Sequence, residues 1–209
     1  MRNRTQLRAR LREELGDTGS VKVWSDAILD DLLVESVGWY SRLWPRQSTA
    51  YRDVAEGQRV FEEPPGTLGV TQVECPPGRV LPQEAGWASG GDGASGVRQS
   101  WSEWGGVIYL GNAAKAGEAG TSKLIMRVLL PWDRLDPVEP WNGPEGDERL
   151  LVLWSATEAW AWLDGQDQKR GRPAGPGSQT NRYAQQLERE VEARRRAATS
   201  RTLEAGMRG

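Results

Sequence analysis

Residues 11–33, LREELGDTGSVKVWSDAILDDLL, decide the fold, because two helical patterns meet there across a short polar loop. Leu7, Leu11 and Leu15 recur every four residues, which predicts one buried face of a helix over about residues 4–15. Gly16 follows the last apolar position, where a left-handed C-terminal residue is expected. DTGS is turn chemistry. Ser25 precedes the next periodic run and reads as an N-cap. Asp26, in the first turn, complements the helix dipole. Ile28, Leu29, Leu32, Leu33, Ser36, Val37 and Tyr40 form a broad stripe. Pro45 closes the run, since a residue before proline is biased out of the helical region. The second helix is therefore expected over about 25–44.

Outward from this pair the character changes. From 46 to about 140 the helical periodicity is lost and Gly and Pro become dense. STAYRDV reads as a strand, GQRVFEEPPG as a turn and a second strand, and LGVTQVEC as a third. Residues 82–100 read as a long Gly/Ser-rich loop. VIYL and KLIMRVLL are expected to pair antiparallel across a long connection. WSEWGG before them fits no recognised pattern. Helical pattern returns at 147–164, where Leu150, Leu153, Trp154, Thr157 and Ala161 share a face. Leu151, Trp160 and Trp162 add apolar surface elsewhere, so this helix should be covered on several sides, by its own core or by a neighbouring subunit. Gly165 is expected to end it. A basic Gly/Pro-rich linker follows, then a last helix over about 180–204 with a narrow seam of Tyr183, Leu187 and Val191.

The totals bound the function. The chain has 209 residues, enough for a buried core, and no apolar run long enough to cross a membrane. Its start is charged throughout and is not expected to act as a signal peptide. The single cysteine, Cys75, excludes an intrachain disulfide framework and fits a reducing cytoplasm. There is no histidine, which removes Ser-His-Asp and Cys-His chemistry and the usual zinc sites. The 11 Trp and the excess of Arg over Lys are explained by GC-rich coding.

Charge is unevenly placed. Residues 1–16 carry five Arg against Glu13 and Glu14, a net +3; residues 166–209 carry ten Lys/Arg against five Asp/Glu, a net +5. A total of −2 leaves −10 for residues 17–165. Basic ends around an acidic middle suggest interaction arms, or solvated helix faces.

No motif carries catalysis. GDGASG lacks the lysine and the strand–helix context of a phosphate loop. Asp30 and Asp31 diverge by about 100° on a helix, so they read as a solvated face and not as a metal pair. Glu62 and Glu63 lie in a Pro-rich turn. Arg194, Arg195 and Arg196 suit phosphates, an acidic protein surface or solvent. No enzyme, cofactor or metal is expected.

The order of elements does resemble one family. LRARLREELGDTG followed by WSDAILDDLLVESVGWYSR, a β region, and then the Leu/Ala/Trp helix at 149–163 are similar to the head–tail connector proteins of tailed bacteriophages, also called neck adaptors or head-completion proteins. The resemblance implies an α+β fold: an N-terminal helix pair at 1–45, a β-rich insert at 46–145, a bundle helix at 146–165, and a basic linker with a C-terminal helix or arm at 166–209. It implies a structural virion protein, made in the host bacterial cytoplasm, that forms a dodecameric ring below the portal. The partners implied are the portal protein, the next neck or tail-completion protein, further copies of itself, and DNA passing through the lumen without sequence recognition. A closed ring needs two different faces per subunit. Trp160, Trp162 and Leu151 are the expected subunit-interface residues. Arg194, Arg195, Arg196 and Arg201, with Tyr183, Leu187 and Val191, are the expected portal-facing residues. The arm could instead fold back on its own subunit. Alternative functions are another neck or tail-completion protein, such as a stopper or terminator, and a small nucleic-acid-binding protein using the Arg-rich helix.

Overall fold

A computed structural model of the chain describes residues 1–55, 57–84, 100–111, 122–170 and 178–206, without the side chains of Ser122 and of residues 199–206. The fold is α+β, with helices at both ends and a β-rich middle. The described helices are α1 (Arg4–Leu15), α2 (Asp26–Leu43), α3 (Glu148–Lys169) and α4 (Gln179–Gly206). The described strands are β1 (Arg46–Val54), β2 (Val60–Glu62), β3 (Gly69–Glu74), β4 (Val80–Leu81), β5 (Trp101–Trp104), β6 (Val107–Leu110) and β7 (Ser122–Leu130). They form two compact units: a helical one from Met1–Tyr40 and Trp132–Gly209, and a sheet one from Ser41–Pro131.

In the helical unit α1 has the expected bounds. Asn3 and Gln6 close a reciprocal capping box at its start, and Gly16, with φ 69°, ends it by donating to the carbonyls of Arg12 and Glu13. Leu7, Leu11 and Leu15 are buried. One residue further round the helix, Arg4, Arg8 and Arg12 face the first turns of α2. Arg8 Nη1 lies 2.8 Å from Asp30 Oδ2, and Arg12 donates to both Asp26 and Asp17. The hydrogen bond from Arg12 comes first among the causes that hold the Asp26 carboxyl below its ordinary range. The basic N-terminal end is thus turned onto α2, and Asp30, expected on a solvated face, is one of its partners.

The loop between these helices is fastened by Asp17, which is buried. Its carboxylate accepts from Arg12 and from the Val23 N–H at 2.8 Å, while Lys22 Nζ donates to its carbonyl oxygen at 3.1 Å. Arg12 Nη2 also donates to the Trp24 carbonyl at 3.0 Å. Ser25 Oγ then accepts from the Ile28 N–H at 3.3 Å and caps α2 as expected.

The third helix is the centre of this unit, packed against α1 and α4. Leu150, Leu151, Val152, Leu153, Ala156 and Ala159 are all buried. Ser155 Oγ reaches the Leu32 carbonyl of α2 at 3.2 Å. The helix runs through Gly165 to Lys169, past the expected stop. A mid-helix glycine costs only about 1 kcal/mol, and Thr180 at the head of α4 is hydrogen-bonded to Asp164 in this last stretch. The segment 132–147, expected to belong mostly to the β insert, is part of the helical unit. Its Trp141 packs edge-on against Tyr40, with centroids 5.4 Å apart, and the Trp141 backbone N–H donates to the Arg2 carbonyl at 3.0 Å.

In the sheet unit, strands β1-β7-β3-β4 form one antiparallel sheet and β2-β6-β5 another. Val54, Val70, Val73, Leu124, Met126 and Val128 of the first meet Phe61, Trp101, Ile108 and Leu110 of the second in one core. Strand β7 shows the period of two, with Leu124, Met126 and Val128 inward and Lys123 and Arg127 outward. VIYL and KLIMRVLL do not pair with each other. β6 makes a hairpin with β5 through Gly105 and Gly106, both at positive φ, as a two-residue mirror-image turn requires. The nine residues of β7 pair along all of β1. Of the expected loop 82–100, residues 85–99 lie outside the described residues.

Replacing Asp17 with Ala removes a buried acceptor from Arg12 and from the Val23 N–H. The expected loss is about 3 kcal/mol of folding stability, the size seen when one partner of a buried ion pair is removed, read by urea denaturation. A loss below about 0.5 kcal/mol would show that the loop is held by something else.

Candidate functional site

Polar connections of the helical unit converge on the head of α3. Asp147 and Glu148 are both buried. Tyr40 of α2 donates its hydroxyl to Asp147 Oδ2, and Arg194 of α4 donates Nε to the same oxygen at 3.0 Å. Glu148 accepts from the Arg2 N–H at 2.5 Å and from Arg2 Nη1 at 2.9 Å. Arg149 Nε lies 3.1 Å from Glu190 Oε1. Three consecutive residues therefore fasten α2, the N-terminal segment and α4. Gly146, with φ 88°, makes the turn that delivers them, and acidic groups are favoured in the first turn of a helix.

The electrostatics follow from burial. Burial, and then the hydrogen bond to Asp147, push the Tyr40 hydroxyl well above its ordinary pKa. For Arg194, burial works against the charge, but the Asp147 carboxylate and the Tyr40 hydroxyl together outweigh it and raise the guanidinium.

The expected portal-facing residues divide on this frame. Tyr183 is buried, its hydroxyl donating to the Glu14 carbonyl at 2.6 Å. Leu187 and Val191 are half-buried on the same face of α4, and Arg194 is committed to Asp147. The C-terminal helix thus folds back on its own subunit. Its seam is narrow, but polar anchors supplement it that looked like free charges in the sequence. Arg195 and Arg196 point outward, Arg196 with Glu192 at 2.8 Å. The Arg201 side chain lies outside the described residues.

The expected subunit-interface residues divide too. Leu151 is fully buried in its own core. Trp160 is half-buried and meets Trp24 edge-on at 5.2 Å. Trp162 alone of the three is exposed, at 45%.

Among the described residues no three Cys, Asp or Glu side chains come together as a metal site. Cys75 is buried, which pushes its thiol upward against the pull of Arg79, so it stays protonated and is a poor nucleophile. The described pocket is an open polar cleft of about 430 Å³ on the four-stranded sheet, lined by Gln47, Ser48, Thr49, Thr71, Gln72 and Arg127. Neither Asp147 nor Glu148 stood out in the sequence, though an acid pair beside Gly146 at a helix start was a signal for them.

Above about pH 10 an unfolded tyrosine loses its proton while folded Tyr40 keeps it. The unfolded state then binds fewer protons, and stability falls as pH rises, by up to about 1.4 kcal/mol per pH unit. Tyr40→Phe should flatten this alkaline limb and cost about 1–2 kcal/mol at neutral pH, by leaving Asp147 one donor short. Denaturation curves at pH 7–11 check this, and an unchanged alkaline slope would contradict it.

No protein-family model matches this chain, and no curated protein is detectably similar to it.

Proposed function

We propose that this chain is a neck adaptor of a tailed bacteriophage: a structural virion protein whose copies form a ring below the portal and continue the DNA channel towards the tail. The observation that carries the reading is the order of elements. A helical unit built from both ends of the chain brackets a β unit between α2 and α3, as in the family that the sequence resembles. The reading needs no catalytic residue, cofactor or metal.

The fold narrows which surfaces are available for the roles proposed. Tyr183 and Arg194 are engaged inside the subunit, so portal docking falls to the outward side of α4, with Arg195 and Arg196, and by charge to the following residues with Arg201. These charges speed and orient docking more than they set its final affinity. Of the three interface candidates, Trp162 is the one that a neighbouring copy can bury, and burying a large aromatic at such a contact suits a hot spot. DNA passes through the lumen without sequence recognition. The partner on the tail side is the next neck or tail-completion protein.

Co-expression with the portal protein from the same phage, followed by electron microscopy, tests the reading. The expected result is a dodecameric ring stacked on the portal. Trp162→Arg should prevent the ring while the circular dichroism spectrum stays unchanged. Reversing Arg195 and Arg196 to Glu should reduce portal attachment at least tenfold. A protein that never co-purifies with the portal, or a ring indifferent to Trp162→Arg, would contradict the proposal.

A further inference from the structure

The polar cleft on the four-stranded sheet takes no part in the function proposed above, and its chemistry is specific. Arg127 of β7 stands at its floor, about half exposed, between β1 and β3. Its Nη1 donates to Thr49 Oγ1 of β1 at 3.0 Å. On the other side Nη2 lies 3.8 Å from Glu74 Oε1 of β3, close enough to steer the guanidinium but too far for a hydrogen bond. Glu74 cannot easily close that gap. Its Oε1 accepts from Gln72 Nε2 and its Oε2 from the Gly78 N–H, both at 3.0 Å. The guanidinium is thus held in place from two sides, with one of its five N–H donors used among the described residues.

The backbone shapes the cleft around it. The pairing of β3 with β7 shifts register between Val70 and Gln72, so Thr71 is an extra residue at a bulge. Its hydroxyl donates to the Arg127 carbonyl at 3.2 Å, which ties the bulge down beside the guanidinium. The rest of the lining is neutral hydroxyl and carboxamide, from Gln47, Ser48, Thr49 and Gln72.

We infer that this cleft is a carboxylate-binding site, with the Arg127 fork on the carboxylate oxygens, the Thr49 hydroxyl beside it and the Thr71 bulge holding the strand in place. A planar monoanion matches the two parallel donors of a guanidinium. A phosphate dianion fits worse, because the nearby Glu74 carboxylate offsets the one positive charge. The carboxylate can come from a free small acid or from an Asp or Glu side chain of a partner protein, and the test separates the two.

The full-length protein, labelled with ¹⁵N, is titrated with sodium acetate, with sodium phosphate, and with the peptide acetyl-Thr-Val-Glu-Val-Thr-amide beside its Gln counterpart. Ionic strength is held constant with NaCl. Saturable shifts of the Arg127 Nε–H and of the Thr49, Thr71 and Gln72 amides are expected with acetate, with the Glu peptide, or with both. Acetate binding supports the site for free acids. Binding of the Glu peptide alone supports the site for a protein side chain. Arg127→Gln should abolish the shifts, and Arg127→Lys, which keeps the charge and loses the fork, should weaken binding at least tenfold. Thr71→Val, which keeps the charge and unties the bulge from the Arg127 carbonyl, should weaken it several-fold and serves if the Arg127 variants fail to fold. Shifts that do not saturate, equal shifts with phosphate or with the Gln peptide, or full binding by Arg127→Gln would overturn the inference.

Discussion

A single buried carboxylate organises the helical unit. Asp147 sits at the start of α3 and accepts on one oxygen from Tyr40 of α2 and from Arg194 of α4. A carboxylate away from water is costly unless it is paired and hydrogen-bonded. The arrangement that satisfies it is also the one that joins three helices, so α2, α3 and α4 are positioned by one requirement. Glu148 beside it does the same for the N-terminal segment through Arg2. Burial of Leu7, Leu11, Leu29, Leu33, Leu151 and Leu153 supplies the bulk of the driving force, and the acid pair sets which segments share that core.

The same logic converts apparent surface charge into internal structure. Arg4, Arg8 and Arg12 lie one position round from the leucine stripe of α1 and face Asp26 and Asp30. Of these, the Asp26 carboxylate is exposed, and a pair on an exposed carboxylate contributes little by itself. Asp17 differs, because it is buried and also holds a backbone N–H, so the loop 16–24 has a fixed shape. The basic ends of the chain are therefore largely spoken for, and the surfaces left to partners are fewer than the charge distribution suggested. They include Trp162, the outward side of α4 and the outer face of the four-stranded sheet.

Much of the fold was legible because its signals are local. The α1 stripe, Gly16, Ser25 and Pro45 each report on neighbours within a turn or two, and the helices α1 and α2 fall within a residue of where those signals put them. The capping box of Asn3 with Gln6 was equally local and went unread. So did the Gly105–Gly106 pair, a hairpin signal that joins WSEW to VIYL. What was not legible is non-local. Pairing of β7 with β1 and β3 depends on which strands share a core, and period-two alternation does not specify a partner. The placement of α4 turns on Arg194 meeting an acid 47 residues away. In the sequence that arginine is indistinguishable from Arg195 and Arg196, which are on the exposed side of the helix. For the same reason Leu151 and Trp160 read as interface residues although their partners lie within the chain.

Arg194, by answering the buried Asp147, is a principal anchor of α4 in the fold. A double-mutant cycle of Asp147→Ala and Arg194→Ala measures this directly, using urea denaturation of the full chain. The expected coupling energy is about 2–3 kcal/mol, within the range for contacting pairs. Additivity within about 0.3–0.5 kcal/mol, as for independent sites, would contradict it and leave Tyr183 and the apolar seam as what holds α4.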